Sequence, residues 1–90
     1  MDYLKVSSKS DPNLVAGALS NIIRESGEVE IQAVGAAAVN QTVKAIAISR
    51  NYLSEENTDI VCAPSFSDIV INGETRTALR FHIEEVDISA

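Results

Sequence analysis

The chain has 90 residues; 46% are hydrophobic, four are aromatic, and seven Lys and Arg against thirteen Asp and Glu leave a net charge of −6. A chain of this length supports one core, burying about 60–65% of its unfolded surface, and its aliphatic content excludes a disordered segment. The acidic balance runs against the basic excess by which dedicated nucleic-acid binders neutralise phosphates.

From the N-terminus, Tyr3 to Ser8 alternates, with Leu4 and Val6 on one face and Tyr3 and Lys5 on the other, which predicts a strand. Ser10-Asp11-Pro12 then places a capping residue beside a proline at the first helical position. Val15, Ala18, Leu19, Ile22 and Ile23 recur at helical spacing and Gly27 suits the stop, so a first helix is expected over roughly 12–26. Val29, Ile31 and Ala33 alternate with Glu30 and Gln32 in a second strand that ends at Gly35.

A second helix is expected over roughly 36–53. Val39, Val43 and Ile46 form one apolar stripe, and Ala45, Ile48 and Tyr52 form another on a different face. A helix apolar on two faces has more to bury than one sheet covers. An oligomer contact through Ile48 and Tyr52 and a partly exposed aliphatic surface both fit that pattern.

Residues 59–71 are β-rich but interrupted by Pro64, which predicts a strand that is bent, bulged or at an edge. Asn72-Gly73 is a strong signal for a tight hairpin. The last strand, about 75–86, puts Thr77, Leu79, Phe81 and Ile83 on one face and Arg76, Ala78, Arg80, His82 and Glu84 on the other. The order β-α-β-α-β-β, with right-handed crossovers, makes an α/β two-layer sandwich. Its mixed sheet carries both helices on one face and Lys5, Gln32, Arg80, His82 and Glu84 on the open one.

No apolar run approaches the roughly 20 residues of a membrane span. Met1-Asp2-Tyr3-Leu4-Lys5 is no secretory signal, and Cys62 alone builds no disulfide framework. A cytoplasmic protein is expected. Catalysis finds little footing: no serine sits in a nucleophile motif, and His82 reads as a solvated surface side chain. Cys62 reads as a small buried hydrophobe. Glu55-Glu56 lie in a loop, and Glu84-Glu85 point to opposite strand faces. Metal-ligand spacing is absent. The chain is read as non-enzymatic, with no cofactor and no metal.

The junction Ile31-Gln32-Ala33-Val34-Gly35-Ala36-Ala37-Ala38 matches neither the dinucleotide fingerprint nor the P-loop. Around it stand Ser8, Lys9 and Ser10 before the first helix, and Asn40, Gln41 and Lys44 early in the second. Helices that follow parallel strands begin at the same sheet edge, so these groups are expected to converge. Backbone N–H groups there would suit an anion.

Five blocks of the chain, in order, closely resemble the stage V sporulation protein S family: Lys5-Val6-Ser7-Ser8-Lys9-Ser10-Asp11-Pro12-Asn13, Val15-Ala16-Gly17-Ala18-Leu19, Glu30 through Gly35, Val39-Asn40-Gln41-Thr42-Val43-Lys44-Ala45, and Cys62 through Ile69 followed by Gly73 through Ala78. The resemblance runs from about residue 3 to residue 86. It implies an Alba-like fold and a small bacterial regulator of sporulation and development that binds nucleic acid. The regions by which the more distant Alba proteins approach nucleic acid map onto Lys9, onto Asn40, Gln41 and Lys44, and onto Arg76. Alba proteins are basic at the second helix start, where this chain has Ala36, Ala37 and Ala38. The leading reading is therefore weak binding of DNA or RNA through backbone contacts, by a homodimer or larger homo-oligomer. The rival reading is an assembly module that contacts protein through the second helix. A small-ligand sensor at the Gly35 junction is a third.

Overall fold

The computed structural model describes residues 3–88. Met1 and Asp2 of the N-terminal segment read above, and residues 89–90, lie outside them. Four strands and two helices follow in the expected order: β1 (Tyr3–Val6), α1 (Pro12–Ser26), β2 (Glu28–Ala33), α2 (Ala36–Ser54), β3 (Thr58–Ile71) and β4 (Glu74–Asp87). The sheet order is β1-β2-β4-β3; β1 and β2 run parallel, and β4 is antiparallel to both β2 and β3. The fold is thus an α+β two-layer sandwich.

From Leu79 to Ile83 the strand faces follow the sequence alternation. Nearer the turn they do not, because Ala78, expected on the open face, is buried and Thr77, expected beside the core residues, is exposed where β4 has left β2. Val29, Ile31 and Ala33 of β2 register with Ile83, Phe81 and Leu79 of β4, and these six residues face the helices. Leu19 and Ile23 of α1 and Leu53 of α2 close over them. Each such side chain, fully buried, contributes about 1.5–3 kcal/mol.

α1 starts where Asp11 accepts the Asn13 N–H at 2.9 Å, with Pro12 at the first helical position, and stops at Gly27. Arg24 in its last turn donates to Glu56 at 2.7 Å, tying the helix end to the loop after α2.

The two stripes expected on α2 are corrected. Its buried seam is Ala38, Thr42, Ala45, Ser49 and Leu53. Ala45 is therefore inside rather than beside Ile48 and Tyr52, while Val43 is exposed. Hydrogen bonding explains why polar residues hold the seam. The Thr42 hydroxyl donates to the Ala38 carbonyl at 2.9 Å, and the Ser49 hydroxyl crosses to the Ala16 carbonyl of α1 at 3.1 Å. Satisfied in this way, small hydroxylated residues let two helices approach closely, and Val39 and Ile46 turn toward the sheet.

β3 and β4 form a long hairpin in unbroken register from Thr58↔Asp87 to Ile71↔Glu74. Asn72 and Gly73 both take positive φ, 50° and 79°, as a type I′ turn requires. A two-residue turn closes on a hydrogen-bonded pair, and bonded pairs then alternate along the ladder. Pro64, opposite Phe81, falls in a non-bonded pair, so its missing N–H faces the free edge of β3. Of the three outcomes expected at Pro64, the edge position is the one adopted. Beyond Leu79 the hairpin has no further pairing with β2 and runs on as a two-stranded arm, which helps stretch the molecule to 47 × 22 × 18 Å.

Candidate functional site

Between β1 and α1, Ser7 to Asp11 fold on themselves. The Ser7 N–H donates to the Ser10 hydroxyl at 2.9 Å, and the Lys9 N–H donates to the Ser7 hydroxyl at 3.2 Å. The turn leaves the Lys9 side chain exposed. The Gln41 side-chain amide, from the second turn of α2, donates to the Ser8 carbonyl at 3.2 Å. That bond joins the loop to the helix, and Asn40 and Lys44 stand exposed beside Gln41.

The two helix starts differ. At α1, Asp11 supplies both a cap and a negative charge. At α2, Gly35 makes no side-chain cap and the first turn carries no acidic residue, so its first N–H groups have no partner within the helix. Of the two N-termini expected at this edge, only that of α2 is open to an anion.

Arg76 lies on the arm, opposite Ile69. Ile69 and Ile71 at the end of β3 line a groove of about 520 Å³ together with Lys5, Ser7, Ser8 and Gln32. Its lining comes from β1, the loop after it, the end of β2 and the end of β3; neither Arg76, on β4, nor Lys9 is part of it. Ile48 is half-buried and Tyr52 is exposed, one and two turns beyond Lys44 on the same flank of α2.

The open face of the sheet holds a grouping that spacing along the chain does not reveal. Glu28, Glu30 and Gln32 of β2 register with Glu84, His82 and Arg80 of β4. His82, expected to be freely solvated, is half-buried: its Nε2 lies 2.8 Å from Glu84 Oε1 and its Nδ1 lies 3.7 Å from Glu30 Oε1. The bond to Glu84 is the largest cause of an imidazole pKa raised above its ordinary value, with Glu28 and Glu30 adding to it. Arg80 Nε approaches Glu30 at 3.4 Å, and its Nη2 donates to the Ser67 hydroxyl at 3.2 Å. Tyr3 donates to Gln32 at the β1 side of this face. The alternation of both strands is readable in sequence, but which positions oppose each other requires the register.

Cys62 faces the core, half-buried, and burial raises its thiol pKa. Glu85 lies against Gly27 at the helix layer while Glu84 is on the open face, the opposed orientation expected of that pair. No helix among the described residues is long and apolar enough to cross a membrane.

A family comparison agrees with the sequence blocks. Residues 2–86, nearly the whole chain, match the sequence profile described as Stage V sporulation protein S (SpoVS), and the chain belongs to that family.

Proposed function

We propose that this sporulation-related protein acts without catalysis, as a regulator that binds nucleic acid weakly through the edge where β1 runs into α1 and β2 into α2. The observation that carries the reading is the Gln41–Ser8 bond. It holds the Lys9 loop against the start of α2, beside the uncapped N–H groups after Gly35. Lys9 and Lys44 neutralise phosphates, Asn40 and Gln41 donate hydrogen bonds, and Arg76 extends the surface along the arm. Contacts of this kind read the backbone and carry no sequence information. Few cations also mean a shallow salt dependence, a log–log slope between roughly −2 and −3 on duplex DNA.

Titration of labelled DNA and RNA at low and moderate salt tests the reading. Wild type binds at least one of them at low salt, and Lys9→Glu/Lys44→Glu does not. Absence of binding by wild type at low salt, or equal binding by the double variant, removes it.

A second reading, self-association through α2, is favoured by the exposure of Tyr52, 43%, beside Ile48. On that reading Ile48→Asp/Tyr52→Asp lowers the mass measured by light scattering. An unchanged mass counts against that flank as the contact.

A further inference from the structure

We propose that Glu28, His82 and Glu84 form a zinc-binding site on the open face of the sheet. One donor atom from each lies within 4.8 Å of the others, on side chains projected from adjacent, registered strands. Zinc takes imidazole nitrogen and carboxylate oxygen at about 2.0–2.2 Å, so small rotations of the two glutamates close the set around one ion. Three protein ligands leave a fourth position for water or an exchangeable group.

Two further observations separate this grouping from an ordinary acidic patch. The first is the orientation of the imidazole. Nε2 points to Glu84, and Nδ1 turns the other way to Glu30, 3.7 Å off, which Arg80 holds at 3.4 Å. Glu30 stands on the side of the non-ligating nitrogen, at ion-pair rather than hydrogen-bond distance, and a small approach would give the carboxylate partner that orients metal-bound histidines. The second is the register itself. Glu28 stands directly opposite Glu84, and like charges in direct cross-strand opposition destabilise a sheet. A divalent cation between them turns that repulsion into attraction. Zinc is preferred over magnesium because a neutral imidazole is a poor partner for a hard, oxygen-seeking ion.

His82 is the only histidine, so tag-free protein labelled with ¹⁵N-histidine reports on the site directly. Zinc chloride added to wild type is expected to shift the His82 Nε2 resonance, to bind with one-to-one stoichiometry by calorimetry, and to raise the melting temperature with concentration. Magnesium chloride produces none of these. Glu28→Gln/Glu84→Gln weakens zinc binding, and Glu30→Gln weakens it by about tenfold or more with the stoichiometry kept. The proposal is overturned if zinc leaves the Nε2 resonance in place. It is overturned equally if Glu28→Gln/Glu84→Gln binds as tightly as wild type, or if magnesium protects as well as zinc. The resonance is read on unaltered protein, so a variant that fails to fold does not remove the test.

Discussion

Gly35 holds φ 90° and ψ 158° at the strand-to-helix junction, a region of backbone space that belongs almost entirely to glycine. A Cβ built there meets no atom within 4 Å, so any penalty for a side chain comes from the backbone alone. Gly17 is the complement: it sits inside α1, with equally open space and helical geometry. Gly35→Ala is therefore expected to lower unfolding stability by about 1–3 kcal/mol. Gly17→Ala is expected to raise it by about 0.5–1 kcal/mol. Urea denaturation of the two variants beside wild type checks both signs, and a stabilising Gly35→Ala would contradict the assigned geometry. The glycine at this junction is visible in the sequence, as is the Asn72-Gly73 turn. That Gly35 leaves α2 uncapped while Asp11 closes α1 depends on where the chain travels next.

At the scale of elements, the seam between α1 and α2 is made of small residues, and its hydroxyls are unequal. Ser49 reaches the Ala16 carbonyl, whereas the Ser20 hydroxyl is buried without a hydrogen-bond partner. A buried hydroxyl that has lost water without gaining a protein partner is a liability, and removing it relieves the desolvation cost. Ser20→Ala is expected to be neutral or stabilising by up to about 1 kcal/mol, and Ser49→Ala to destabilise by about 0.5–1.5 kcal/mol. Paired thermal or urea melts decide it; equal losses at both positions would mean that Ser20 has a partner. This seam was the least legible element in the sequence. Hydropathy ranks Val43 and Ile48 above Thr42 and Ser49, yet the smaller residues are inside, because helix–helix approach rewards low volume and satisfied polarity over apolar bulk. Strand faces were legible because a period of two leaves only one assignment once a single face is buried.

For the whole molecule, ion pairs join separate segments and add an acid-sensitive contribution to stability. Arg50 of α2 grips Asp59 at the start of β3 through two bonds of 2.8 and 2.9 Å. The guanidinium, with the Ile60 N–H adding, lowers the Asp59 carboxyl from 3.8 to about 2. A carboxylate with a depressed folded-state pKa stabilises the fold above its unfolded value. The Asp59 contribution is therefore complete above pH 3.8 and lost as pH falls toward about 2. Asp59→Asn should flatten the melting-temperature profile across that acid window and leave its shape near neutrality unchanged. A profile with the wild-type slope would exclude this pair as a source of acid sensitivity.

Periodicity, caps and turn residues were enough to order the six elements, to place the helices on one sheet face and to set the alternation of β4 where it pairs with β2, because these are properties of consecutive residues. Five ordered blocks were likewise enough for the family. Tertiary structure decided what lies across from what. It set Glu28 against Glu84 and Glu30 against His82, chose the hydroxylated stripe of α2 for the interior, and placed Ile69 and Ile71 of β3 across a groove from Ser7 and Ser8. Cross-strand register, helix approach and the lining of a groove are relations between residues far apart in the chain, and local periodicity carries no record of them.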